Sequence, residues 1–553
     1  MRVFQLVLVY LLGSGLLAQA AGASAPPVTA IRKHLLYFRD KANSPYKLTQ
    51  PQAFLSARAV QRRTRQGIAL SVRDLPVNPS YVAQVKAVPG AQLWYTSRWF
   101  NAAVVACDSA TLAKLNALPC VQSARTLNRG LPGTHKRDPE AASDVQARTL
   151  SRSDYGQAFT QARMIGAVDM HNAGFRGEGM QIAVFDGGFP GVDKIPAFTP
   201  LFGEKRLAST FNFVEKNKSV FIRDSHGTNT LSTLAANQPG FFMGTAPKAT
   251  YHLCLTEDVN SEHPVEEVNW LIAAEYADSV GVDVISSSLG YNSFDYPSID
   301  YTYNDMNGRT AISTRAATIA ARVGMLVVSS AGNEGGNSWR YITAPADADS
   351  ILTVGAVDSL RIRASFSSIG PTADGRIKPS LMAQGRASAI LTSNGSVVRG
   401  NGTSFSCPIL AGMATGFWQA NPTLTAQQVI SFLERSASRA KVPNDEYGFG
   451  IPNFVQANDL VAIDRAEFSN DVVLYPNPTH NEELFLQLPK ELQAVPLYVR
   501  IIDTHGALVA QQDVPAANAA AVRLQPISLA KGVYLCLVKA SGKRQRTVRF
   551  VKL

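Results

Sequence analysis

Asn401-Gly402-Thr403-Ser404-Phe405-Ser406-Cys407-Pro408 runs directly into a small, apolar stretch from Ile409 to Phe417. Gly400 and Gly402 bracket a turn, and a helical pattern begins at once. Proline has no N–H to donate and is tolerated in a helix's first turn, so the spacing predicts a buried helix opening close to Pro408. That places Ser404 on its N-terminal lip. Unpaired backbone N–H groups and the positive end of the helix dipole point there, where a developing oxyanion can be held. A serine at such a lip is ordinarily an N-cap, so its role rests on what the rest of the chain brings to it.

Upstream, short apolar runs alternate with helical patterns. Gln181 to Phe185, Ala249 to Leu255, Val282 to Ile285, Met325 to Ser329 and Ile351 to Val357 read as strands. Pro264 to Val280 and Ala311 to Val323 read as helices between them. Apolar strands alternating with amphipathic helices predict a doubly wound, mostly parallel α/β sheet covered on both faces. Ligands of such sheets gather at the strands' carboxyl ends. Asp186 stands where the Gln181–Phe185 strand stops, before Gly187-Gly188. His226-Gly227-Thr228 opens a further helix, and Asn333 sits in the glycine-flanked Ala331-Gly332-Asn333-Glu334-Gly335 after another strand. Taken singly these read as a turn cap, a surface histidine and a turn asparagine. Trp339, Arg340 and Tyr341 either shape a pocket or pack a loop.

Asp, His and Ser in that chain order match one of the arrangements of the acyl-transfer triad. The segments Ile182–Gly188, His226–Thr228 and Gly402–Pro408 resemble the aspartate, histidine and serine motifs of the subtilisin-like serine peptidases over about residues 155–460. The resemblance implies a serine endopeptidase with Asp186, His226 and Ser404 as catalytic residues and Asn333 as oxyanion donor. It also implies that Ser288-Leu289-Gly290 is the edge that pairs with extended protein or peptide substrates. Gly187 departs from the Ser or Thr more common in the family. A peptide ligase, or a non-catalytic surface binding protein on the same scaffold, is the alternative. No G-x-S-x-G elbow is present.

The 553 residues carry a net charge of +11. Residues 25–150 hold 18 Lys/Arg against 6 Asp/Glu, whereas residues 151–553 hold 34 against 36. A nearly neutral bulk excludes a phosphate-tracking groove and hence a nucleic-acid partner. The arginines of the helical pattern Phe54 to Gln66 are expected on a solvated face. None of the five cysteines forms a C-x-x-C or Cys/His cluster. Cys107 and Cys120 are read as two partly buried thiols, with pairing the alternative. No metal site is indicated, and no Asp-rich calcium loop stands out.

The flanks complete the organisation. Val3 to Leu17 followed by Ala18-Gln19-Ala20 reads as a signal peptide over 1–20, with a membrane anchor the alternative. Residues 25–128 form a basic unit, 129–154 a charged linker without a core, and 155–464 the α/β domain. Residues 465–553 read as a small β-sandwich of hairpins with turns at His505-Gly506 and Lys531-Gly532. By the family resemblance, 25–128 is an α+β inhibitory propeptide, so the enzyme is made as a zymogen that its own propeptide inhibits. Leu474-Tyr475-Pro476-Asn477-Pro478, Gly532-Val533-Tyr534 and a basic terminus including Lys543 and Arg544 resemble the sorting domain read by the type IX secretion machinery. That implies delivery to the cell surface or medium via the periplasm, and an accessory substrate-binding sandwich is the alternative.

Overall fold

The computed structural model describes residues 30–127, 154–464, 472–480, 483–504, 506–516, 519–525, 528–540 and 545–553. The signal peptide, linker residues 129–153, His505, Lys543 and Arg544 lie outside these. Among the described residues no helix is long and apolar enough to cross a membrane.

The N-terminal unit is a four-stranded antiparallel sheet with three helices. Its strands are β1 (Arg32–Phe38), β2 (Gln92–Ser97), β3 (Ala102–Cys107) and β4 (Val121–Thr126), in the order β2-β3-β1-β4. The helices are α1 (Ala57–Arg65), α2 (Pro79–Ala87) and α3 (Ser109–Asn116). Successive strand residues face opposite ways, and both faces are used. Leu36, Phe38 and Val105 close a core over the unit's own helices, while Leu35, Ala102 and Val104 pack into the larger domain.

That domain is built on seven parallel strands: β5 (Gln181–Asp186), β6 (Leu207–Asn212), β7 (Thr250–Leu255), β8 (Val284–Ser287), β9 (Leu326–Ser330), β10 (Leu352–Val357) and β11 (Leu381–Gln384). Their spatial order is β11-β10-β9-β8-β5-β7-β6, every pairing parallel. The doubly wound sheet expected from the apolar runs is present, with β6 and β11 added at the edges. Ile182 and Val184 face one core and Ala183 and Phe185 the other. The first core lies under α4 (His226–Ala235) and α7 (Thr403–Ala420), and the second under α5 (Pro264–Val280) and α6 (Ile312–Arg322). A hairpin, β12 (Ser388–Leu391) and β13 (Val397–Gly400), leads into α7, and α8 (Ala426–Arg435) and α9 (Phe454–Asp464) close the domain.

The C-terminal unit has two antiparallel sheets over one core. One holds β14 (Val473–Tyr475), β15 (Phe485–Gln487) and β18 (Ala521–Arg523). The other holds β16 (Leu497–Asp503), β17 (Leu508–Val514), β19 (Gly532–Ala540) and β20 (Arg546–Lys552). All five cysteines are buried free thiols, so Cys107 and Cys120 do not pair.

Two expectations need correction. The arginines of α1 are not all solvated: Arg62 and Arg63 are 2% exposed. Arg62, Arg63 (2.8 Å) and Arg98 (2.6 Å) converge on the fully buried carboxylate of Asp278 on α5. Burial pushes that carboxyl's pKa up, but Arg62, Arg98 and Arg63 outweigh it and hold it below the usual range. One turn earlier, Glu275 accepts from Ser97 Oγ (2.5 Å) and from the backbone N–H of Arg98 (2.9 Å) and Trp99 (3.1 Å). Removing one partner of such a buried pair costs about 3–5 kcal/mol. Second, Pro408 is not in the first turn of its helix, because α7 begins five residues earlier at Thr403. A proline deprives the carbonyl four residues back of its N–H. Here that carbonyl belongs to Ser404 and accepts instead from Ser288 Oγ (2.9 Å).

Two buried histidines are held neutral by the fold. His171 accepts from Tyr155 Oη (2.6 Å) and donates to the Thr245 carbonyl (3.0 Å). His252 lies between Ser209 Oγ (2.7 Å) and Gln181 Oε1 (3.1 Å). Burial lowers both to about 4. A depressed histidine stabilises the fold above its unfolded pKa of about 6.5, and that contribution is lost as pH falls toward the folded value. Each therefore forfeits up to roughly 3 kcal/mol between pH 6.5 and 4. Glu434, raised by burial to about 7, and the buried Glu267, Glu275 and Asp347 shift the other way and gain stability over the same window. The histidines are therefore read by difference. Between pH 7 and pH 4 the Tm of His171→Gln and of His252→Gln should fall less than that of the parent, and equal falls contradict the buried neutral state.

Candidate active site

The carboxyl end of β5 delivers Asp186 into the interior, where it is fully buried. Beside it α4 begins, with His226 as its first residue. Asp224 Oδ1 accepts the His226 backbone N–H (3.1 Å), satisfying one orphan donor of the helix start. The imidazole Nδ1–H donates to Asp186 Oδ1 at 2.7 Å, which leaves Nε2 on the far side of the ring. Gly187 N–H reaches the same oxygen at 2.8 Å, and Thr230 Oγ1 donates to Oδ2 at 2.9 Å. Such close approach requires glycine at 227, where a Cβ would stand 2.2 Å from the Gly188 carbonyl oxygen and 3.0 Å from Asp186 Cβ.

Ser404 is the second residue of the 18-residue α7, with Gly402 rather than a side chain at the cap. Asn333, just past the end of β9, takes both the backbone N–H (2.9 Å) and the hydroxyl (3.0 Å) of Thr403 on its Oδ1. The amide is thereby pinned by its oxygen to the first turn of α7, and Nδ2 is its donating end. His226, Asn333, Ser404 and the Ser288-Leu289-Gly290 segment all line one cleft of about 520 Å³. Asp186 stands behind the histidine. Cys407, one turn along α7 from Ser404, is buried, and burial pushes its thiol up to about 12, so it stays protonated.

The structure therefore brings together Asp186, His226, Asn333, Ser404 and the Ser288-Leu289-Gly290 segment. It does not bring Trp339, Arg340 and Tyr341 to the cleft. Trp339 packs against the second core and Tyr341 stacks on Tyr303. Thr230, Asp224 and Thr403 escaped notice, although the four-residue step from His226 to Thr230 puts both on one helix face. So did a recess of about 410 Å³ lined by Glu257, Asp258, Glu262, Glu266, Asp295 and Glu334, which shares Gly290 and Glu334 with the cleft. Within it, carboxylate oxygens of Glu257, Glu262 and Glu266 lie within 4.8 Å of one another, a set of hard oxygen donors that could hold a divalent cation.

Comparison with known proteins decides the family. The subtilase family pattern matches residues 177–450. Subtilisin NAT of Bacillus subtilis subsp. natto is 30% identical over 320 residues, covering 57% of this chain and 75% of that protein. The chain belongs to the subtilase family.

A subtilisin of Bacillus pumilus is 31% identical over 50% of this subtilase and 89% of its own length. The serine protease AprX of Bacillus subtilis is 29% identical over 50% and 65%. A peptidase S8 propeptide domain of the Bacteroidota type matches residues 33–142, and a secretion system C-terminal sorting domain matches 473–552. This subtilase is thus a serine-type endopeptidase made as a zymogen, with a type IX sorting domain that marks it as secreted or cell-surface.

The crowding at Gly227 yields a direct test. Gly227→Ala would force α4 away from β5 and part His226 from Asp186. A displacement on the order of 1 Å lowers catalytic rates about a hundredfold. Peptide hydrolysis should fall by at least that much while circular dichroism keeps the helical signal of the parent.

Proposed function

We propose that this subtilase cleaves peptide bonds through an acyl-enzyme formed on Ser404. The observation that carries the reading is the 2.7 Å contact of His226 with a buried Asp186, at the wall of a cleft that also holds Ser404. A serine hydroxyl is a weak nucleophile and needs an adjacent base. His226 takes the Ser404 proton on Nε2 and passes it to the leaving amine, while Asp186 holds the tautomer and stabilises the imidazolium. Asn333 Nδ2 and the Ser404 backbone N–H, at the positive end of α7, receive the oxyanion. One such donor lowers the barrier by about 2.7–4 kcal/mol. Substrate lies extended along Ser288-Leu289-Gly290. Water then releases the acyl group, and no cofactor is invoked at any step.

The N-terminal unit acts as inhibitor until the 129–154 linker is cut, and the C-terminal unit directs passage through the periplasm to the secretion machinery. Ser404→Ala should reduce hydrolysis by about 10⁶-fold and leave the purified precursor uncut between 129 and 154. A fluorophosphonate should label Ser404 in the wild-type protein. Normal processing of the purified variant would show that maturation is not autocatalytic. Product analysis with an added amine acceptor separates hydrolysis from ligation.

All the proposed site residues precede Asp464. Truncation after Asp464 should leave the activity of purified enzyme nearly unchanged but strand it in the periplasm of its host. Fractionation with assays on short peptides and large proteins checks both points. Surface delivery of the truncated chain, with weakened turnover of large substrates alone, would instead assign the sandwich to substrate binding.

A further inference from the structure

We propose that Thr230 is a positioning residue for the catalytic dyad, so that one turn of α4 grips both oxygens of Asp186. This rests on the reading of Asp186, His226 and Ser404 given above. His226 and Thr230 stand four residues apart and share a helix face. The imidazole Nδ1–H takes Oδ1, and the Thr230 hydroxyl takes Oδ2 at 2.9 Å. Thr230 is 1% exposed and Asp186 is fully buried. Among the described residues no other group donates to Oδ2, since Gly187 gives its N–H to Oδ1 and carries no hydroxyl. Thr230 Oγ1 also lies 3.1 Å from the Gly227 carbonyl. It has a single proton, and the ionised, closer acceptor takes it, because hydrogen bonds to charged groups are the stronger.

The arrangement orients the base through the carboxylate. With its two oxygens bound one helical turn apart, Asp186 cannot rotate about its Cβ–Cγ bond without breaking one contact, so the imidazole plane is held as well. The hydroxyl also draws charge toward Oδ2 and away from the oxygen that faces His226. Among the described residues, the other titratable or charged groups around His226 are Asp224, bonded to its N–H, the buried Cys407 thiol, which stays protonated, and Glu334 and Arg399, which line the same cleft.

The test compares Thr230→Val, Thr230→Ala and Thr230→Ser with Asp186→Asn in the full chain. A variant that does not mature by itself is cut in the 129–154 linker with an added protease, and rates are normalised by fluorophosphonate titration. Thr230→Val and Thr230→Ala should lower kcat about tenfold with KM little changed. The acid limb of kcat/KM should move to higher pH by about half a unit, since charge returned to Oδ1 favours the imidazolium. The downfield proton resonance of the His226 Nδ1–H should shift in both variants, and Thr230→Ser should recover most of the rate. If Thr230→Val and Thr230→Ala keep the parental kcat, limb and resonance while Asp186→Asn is crippled, Thr230 has no positioning role and the triad stands. If Asp186→Asn is itself unaffected, both readings fall.

Discussion

An ionised carboxylate without water must have its charge met by donors fixed in place, because an uncompensated buried charge costs about 3–5 kcal/mol, a large part of a fold's stability margin. Asp186 imposes that requirement here. It is fully buried because it ends an interior strand of an all-parallel sheet, where neighbouring strands and covering helices leave no route to solvent. Much of the surroundings answers the demand. The first turn of α4 is set against β5, glycine occupies 227 so that the backbones can meet, and the chain turns at Gly187 to present an N–H. The histidine is oriented as a by-product of satisfying the aspartate.

The serine side obeys a complementary constraint. A helix start offers N–H groups to an oxyanion only if it is kept from fraying, and a proline six residues in weakens the next turn. Ser288 repairs that defect by bonding the carbonyl of Ser404. The edge segment that lines the cleft thus also braces the backbone of Ser404. Asn333 ties the end of β9 to Thr403 on the same turn. The Ser288 edge, the Asn333 amide and the Ser404 turn are therefore tied to one another.

The core strands and the site motifs were legible because each rests on a local pattern: an apolar run, a glycine pair, a helix start. What escaped the sequence depends on partners far along the chain. Arg62 and Arg63 look like any basic helix face until Asp278, more than 200 residues later, is seen to lie beneath them. The departure at Gly187 looked like a missing hydroxyl, and the hydroxyl comes from Thr230 on another element. The edge strands β6 and β11 were missed because Leu207–Asn212 is half-buried and polar and Leu381–Gln384 holds no β-branched or aromatic residue. Glu257, Glu262 and Glu266 are ordinary acids in a loop and a helix start, and only folding turns them toward one recess.

The described contacts that seat the propeptide on α5 and α6 all come from residues before 128: Arg62, Arg63, Ser97, Arg98 and the apolar face of β1 and β3. A cut between 129 and 154 removes none of them. It removes the tether. While tethered, the segment meets its seat at an effective concentration on the order of millimolar; afterwards it meets it at whatever concentration its surroundings impose. Latency then becomes a question of volume. Under the proposed cleavage, dilution outside the cell favours release of the cut unit.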